Sequence, residues 1–141
     1  EEALVQAGIP IRNVEQRRNC PMYITNIDCT PAGRFKGKLV VSMRPIPAQL
    51  VARAVEVTAR FPRAHGSPIH IGEPESIGIP DLTKPDFGDP LDWVKGDVPV
   101  FWACGVTSQL AATQAGLPVV IAHAPGHLLI GDIRCEELAW W

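Results

Sequence analysis

The residues of this sequence that could act on a small molecule are scattered, and each calls for a different position in a fold. Residues 98–109, VPVFWACGVTSQ, place Cys104 and Gly105 between an apolar run, 100–103, and a helical pattern through Leu110, Ala111, Ala112 and Gln114. A strand that turns directly into a helix leaves backbone N–H groups free at the turn. Gly105, Val106 and Thr107 are therefore candidate holders of an anion or oxyanion, with Thr107 expected to cap the helix. Cys104 beside a helix N-terminus is a candidate nucleophile; the alternative is a buried, inert wall.

Arg44 follows the strand-like run 39–43 and precedes Pro45. An arginine at the carboxyl end of a strand is placed to fork onto a substrate carboxylate, and the alternative is a solvated surface charge. His70 closes a brief apolar run, where an imidazole can serve as acid or base near neutral pH. Asp86 and Asp89 sit on a rigid turn, PDFGDP, and are candidates for a general base or an amine clamp. Aspartates in such turns also bond their own backbone. His123 and His127 are four residues apart, but the Pro-Gly between them forbids a helical metal pair. They are candidate substrate-binding residues, expected to bond loop backbone or, for one of them, to serve as acid or base. With His70 and Cys104 or an aspartate they raise a divalent-metal site as an alternative, although no spacing requires one and the reading is of no cofactor.

These residues need a scaffold, and the hydrophobic pattern supplies one. A first helix ends at Gly8, with Pro10 beyond it. Residues 23–27 form a short strand and 31–37 a turn cluster, and 39–43 is an apolar, β-branched strand. Pro47 opens a helix to Arg60 with a stripe of Leu50, Val51, Ala54, Val55 and Thr58. A brief strand at 68–72 is expected to run parallel to 39–43. Then comes a long segment, 73–98, rich in Pro, Gly and Asp, with one short helix around 75–78. Its apolar residues Ile77, Ile79, Leu82, Phe87, Leu91 and Trp93 argue for order. After the 100–103 strand and its helix, with Gly116 as the stop, strands are expected at 119–122 and 128–133. The implied architecture is α/β: a three-layer sandwich with a mixed, mainly parallel sheet, in one domain over residues 1–141.

Composition bounds the function. The 141 residues carry a net charge of −2 with 46% hydrophobic and 20% charged residues, so neither nucleic acid nor an anionic membrane is an expected partner. No apolar run approaches the ~20 residues of a membrane-spanning helix. Cys20, Cys29, Cys104 and Cys135 form no CxxC pair or cluster, which suits reduced thiols and a cytoplasmic setting, or a mitochondrial one in a eukaryote. Glu1 opens the sequence inside a helical pattern, as though cut from a longer chain. Trp140 and Trp141 would be unusual if exposed, and suggest packing on a further segment or on a second copy.

Several phrases together resemble the D-glutamate cyclase family, whose bacterial members are described as hydro-lyases: RNVEQRRNCPMYITNIDC, LVVSMRPIP, ARFPRAHGSPIHIGEPESIGIPDLTKPDFGDP, VPVFWACGVT and HAPGH. The resemblance spans essentially the whole sequence and matches the carboxyl-terminal half of a family chain about twice as long. It implies an α/β fold and conversion of D-glutamate to 5-oxo-D-proline with loss of water. Such a reaction must deprotonate the α-amine, hold the tetrahedral oxyanion, protonate the departing oxygen and hold the α-carboxylate. The chemistry assigns Arg44 to the carboxylate, Asp86 with Asp89 to the amine, His70 to the departing oxygen and the Gly105–Val106–Thr107 turn to the oxyanion. Because an internal amine attacks, Cys104 then serves as a pocket wall. Two other readings stay open: a non-catalytic module that binds an acidic metabolite, and a metal-dependent hydrolase using His70, His123 and His127.

Overall fold

The computed structural model describes residues 1–127 and 130–140. Its centre is a sheet of four strands: β1 (Met22–Asp28), β2 (Lys38–Pro47), β3 (His70–Ile71) and β4 (Asp97–Ala103), in the order β1-β2-β4-β3. Among the described residues four α-helices accompany it: α1 (Glu2–Gln6), α2 (Arg12–Glu15), α3 (Val51–Ala59) and α4 (Val106–Gln114). The α/β class holds, but the sheet is not mainly parallel. Every strand pairing among the described residues is antiparallel.

The reason lies in where the α3 crossover lands. β2 and β3 run in the same direction, as the sequence suggests, but they are not neighbours. β4 enters between them and pairs antiparallel with both, giving a split βαβ arrangement. The seven paired positions of β2 and β4 put two prolines face to face, Pro45 opposite Pro99. The Met43 N–H donates to Pro21 O on the β1 side at 3.0 Å. By alternation the missing Pro45 donor also points that way, beyond the start of β1, so this central strand loses no ladder bond.

Alternation along β2 and β4 makes two cores. On one face Ile46, Val100 and Trp102 pack under Leu4 of α1 and Ala54 of α3, while Val40 and Met22 pack under Val106 of α4. On the other face Tyr23, Val41, Met43 and Phe101 pack under Ile77 and Ile79 of the long Pro-rich segment. That segment is ordered, as its apolar anchors imply, although Trp93 is exposed. One face thus carries helices, and a loop replaces the expected third layer. Each fully buried Val, Ile or Phe contributes about 1.5–3 kcal/mol.

Local punctuation follows the sequence closely. The α3 region begins as a 3-10 turn, Ala48–Leu50, behind Pro47. A second 3-10 turn, Pro74–Ile77, ends at Gly78 in the left-handed conformation. Beyond Gly116 the expectation fails: residues 119–122 form no strand, and Val119 and Ile121 are exposed. Of the strand expected at 128–133, Leu128 and Leu129 lie outside the described residues and the remainder is not extended into a ladder. Trp141 also lies outside them; Trp140 is exposed, with the Arg63 guanidinium 6.0 Å from its ring centre.

Candidate functional site

Between the α1–α3 end and the α4 end of the helical face, the sheet carries polar side chains where apolar ones would be expected. Ser42 and Arg44 are two apart on β2 and so share this face; Trp102 stands opposite Ser42. Arg44 lies inside β2, not at its end, because the strand continues through Pro47. Its side chain is only 12% exposed. Nη1 donates to Ser42 Oγ at 3.1 Å, and the guanidinium carbon lies 5.5 Å from the Trp102 ring centre, a cation–π contact. The Trp102 indole N–H is in turn satisfied by Thr58 Oγ1 of α3 at 3.2 Å.

The free side of the guanidinium already holds a carboxylate. Arg44 Nε and Nη2 both donate to Glu1 Oε1, at 3.1 and 2.8 Å, and Asn13 Nδ2 adds a third donor at 3.3 Å. Burial alone would raise the Glu1 carboxyl, but the charge and hydrogen bonds of Arg44 outweigh it and hold the group below its usual value. The Oδ1 atom of Asn13 is buried without a hydrogen-bond partner. A cavity opens beside the Arg44 and Trp102 side chains, walled by Leu4, Phe61, His65 and Leu138.

Two thiols flank the guanidinium. Cys20 precedes β1 and directs its Sγ toward Met43 O at 3.5 Å; Cys104 continues β4, its N–H bonded to Val40 O at 2.9 Å. Burial pushes both thiols up, and the Arg44 charge opposes this in each case; for Cys104 the Val106 N–H does so as well. Both are thus held as neutral thiols. This suits Cys104 as a wall and removes the thiolate that nucleophilic attack requires.

The entry to α4 is more committed than the sequence suggests. Thr107 does not cap its helix. Its hydroxyl accepts from Val40 N–H at 3.0 Å and donates to Val40 O at 3.2 Å, fastening the helix to β2. The Thr107 N–H is used by Cys104 O at 3.1 Å. Gly105 and Val106 remain as the exposed and buried halves of the turn, beside the cleft that Cys104 shares with Cys29 and Lys36.

Other candidates go elsewhere. His70 pairs with Phe101 while Arg44 pairs with Val100, and successive residues of one strand face opposite ways. His70 therefore lies across the sheet from Arg44, its ring 5.7 Å from that of Phe101. Its Nε2 contacts Glu73 O at 2.9 Å and Ser76 Oγ at 3.1 Å. A carbonyl only accepts, so Nε2 carries the proton and fastens the loop. The Asp86 and Asp89 carboxylates are backbone latches along the outer edge of β1. Asp86 Oδ2 accepts from Ile24 N–H and Asp89 Oδ2 from Asn19 N–H, each at 2.7 Å, on either side of a Met22–Phe87 bridge.

The HAPGH loop does approach the helical face. Gln109 of α4 contacts His123 Nε2 at 3.2 Å, and Asn19, next to Cys20, donates from Nδ2 to Pro125 O at 3.2 Å. Gly126 is required there: its φ is +75°, and a Cβ would meet Asn19 Oδ1 at 2.0 Å. His123 Nδ1 contacts Ala124 O at 2.9 Å and His127 Nδ1 contacts Pro125 O at 3.2 Å, so both rings are held by their own loop. Among the described residues no three His, Cys, Asp or Glu side chains gather as a metal cluster, and His70 is not brought to His123 and His127.

The structure therefore puts Cys104 and the α4 entry in a cleft separate from the Arg44–Trp102 cavity, linked to it by the charge of Arg44 on the Cys104 thiol, with His123 reaching α4 through Gln109; His70, Asp86 and Asp89 lie outside both. It adds Ser42, which the two-residue period of a strand would reveal, and Cys20, Glu1 and His65, which nothing in the linear sequence marks.

Comparison with known proteins gives the chain's relatives. The family model described as D-glutamate cyclase matches residues 1–132. A protein of Bacillus licheniformis is 58% identical over 137 residues, covering 97% of this chain and 52% of its own length. One from Thermoanaerobacter sp. is 57% identical over 139 residues, covering 99% and 52%, and one from Bacillus subtilis is 58% identical over 139 residues, covering 99% and 54%. All three carry the name "putative hydro-lyase". The chain spans about half the length of these relatives.

Proposed function

Since the chain belongs to the D-glutamate cyclase family, we propose that it forms part of a hydro-lyase acting on a small acidic amino acid, D-glutamate, to give 5-oxo-D-proline and water. The observation that carries this reading is the carboxylate already seated on Arg44. A buried guanidinium, steadied by Ser42 and Trp102 and presenting two parallel N–H donors, suits recognition of an α-carboxylate. In this reading the substrate carboxylate displaces Glu1 from Arg44.

Cyclisation joins the α-nitrogen to the γ-carboxyl carbon and breaks one C–O bond, with no redox change. The tetrahedral intermediate carries negative charge, for which the Gly105 N–H at the α4 entry is the proposed holder, the Val106 N–H being turned to the Cys104 sulfur. One such donor is worth about 3 kcal/mol. Thr107 serves by fixing this turn to β2, and Cys20 and Cys104 remain neutral walls. His123 and His127 bound the rim. Asp86, Asp89 and His70 position the loops and take no direct part.

The test is to incubate the purified chain with D-glutamate or with L-glutamate and to resolve 5-oxoproline enantiomers by chiral chromatography. Formation of 5-oxo-D-proline from the D-isomer supports the reading. Binding of D-glutamate in a calorimeter with no product would favour a non-catalytic acidic-metabolite module instead.

A further inference from the structure

Cyclisation as proposed above needs a group that moves protons, and the residues first suggested by the sequence are out of reach of Arg44. Two protons must leave the substrate nitrogen, since an ammonium becomes a lactam N–H. Both end on the oxygen that departs as water. One group alternating between base and acid can carry them in turn.

Resting on that reading, we propose that His65 is this proton shuttle. His65 follows α3 and lines the same cavity as Arg44 and Trp102. Its Nδ1 contacts Ala103 O, on the residue between Trp102 and Cys104. Because a carbonyl can only accept, Nδ1 carries the proton and the neutral ring has its lone pair at Nε2. The contact thus fixes both the tautomer and the ring's attachment to the end of β4. His70, by contrast, uses Nε2 as its donor across the sheet, and the Nε2 of His123 is engaged by Gln109. The remaining ionisable groups lining the cavity serve this role poorly. Glu1 is the carboxylate that the substrate displaces, held below its usual value and so a weak base, and burial pushes the Cys135 thiol up.

The step balances without a further reactant. Nε2 takes a proton from the ammonium, the amine attacks the γ-carboxyl carbon, and the imidazolium returns that proton to an oxygen of the tetrahedral intermediate. The second N–H proton follows the same route as the C–O bond breaks, water leaves, and His65 ends neutral.

The test compares the wild-type chain with His65→Ala, His65→Gln and Arg44→Lys in the D-glutamate assay, with folding checked by circular dichroism. The expected result is a kcat at least ~100-fold lower for both His65 variants, with KM changed less than about threefold. Added imidazole should restore His65→Ala activity in a saturable way, which a structural role would not produce. Arg44→Lys should instead raise KM. A His65→Gln chain with kcat near wild type, or a folded, slow His65→Ala chain that imidazole does not rescue, overturns the shuttle and leaves the reading of Arg44 standing. A wild-type chain that makes no 5-oxo-D-proline removes both.

Discussion

Replacing Arg44 gives the sharpest quantitative test, because one side chain makes every contact the carboxylate reading relies on. Its two bonds to Glu1 Oε1, at 3.1 and 2.8 Å, come from a side chain that is 12% exposed. A hydrogen bond to a charged group contributes about 1.5–3 kcal/mol. Arg44→Lys keeps the charge but presents a single donor to the same oxygen, so one bond's worth is lost. At 1.4 kcal/mol per tenfold, that is a rise in KM or Kd for D-glutamate of roughly 10- to 150-fold. Arg44→Met removes the charge as well and should lose at least as much again. Glu1→Gln must act with the opposite sign. It removes a resident competitor whose side chain is 36% exposed, so the pair is worth only about 0.5–1 kcal/mol and the ligand should bind roughly 2- to 5-fold more tightly. The pH dependence has a defined sign too. Glu1 is held below its usual value in the folded chain, so its pairing stabilises above the unfolded-state pKa and is lost as pH falls through the folded-state one. Isothermal titration with D-glutamate and 5-oxo-D-proline, with urea unfolding at neutral and acidic pH, reads all of these. A folded Arg44→Met chain that binds both ligands as tightly as wild type refutes the reasoning.

Three other outcomes follow from the geometry. Asp86→Asn and Asp89→Asn keep an acceptor for the Ile24 and Asn19 N–H groups, so activity should stay within about threefold; a loss of ~100-fold or more would mean that a carboxylate acts as base after all. Arg12 forks onto Asp97 through Nε and Nη2 at 2.8 and 3.0 Å, and the Asp97 side chain is 2% exposed. Arg12→Met strands that carboxylate and should cost about 3–5 kcal/mol by denaturant titration. Gly88→Ala should be among the more damaging small changes: φ is +77° and the new Cβ would meet Cys20 O at 2.1 Å. The expected loss is at least about 1–3 kcal/mol in thermal unfolding, with Cys20 alkylated faster by iodoacetamide as its cover loosens.

Much of this protein is legible in its sequence because it depends on neighbours along the chain. The β-branched run of β2, the apolar core of β4 and the stripe of α3 declare their own periodicity. Gly8, Gly78 and Gly116 stop helices or turns because only glycine adopts positive φ without strain. The family phrases are likewise local strings. Arg44 could be singled out by its type, but the sequence put it at the end of a strand, whereas β2 runs on through Pro47.

What the sequence could not decide is partnership across distance. A run of apolar residues does not say which strand it will neighbour, so the insertion of β4 between β2 and β3, and with it the antiparallel sheet, appears only in three dimensions. That register has a direct chemical consequence. It places His70 opposite Phe101 and Arg44 opposite Val100, and a one-residue difference along β4 sends the two side chains to opposite faces. A separate long-range bridge, Met22–Phe87, sets Asp86 and Asp89 against N–H groups beside β1, and the segment after α3 brings His65 to Ala103 O. Residue type and local period settle which chemistry each side chain can perform. Strand order and register, fixed by long-range packing, decide which of them meet.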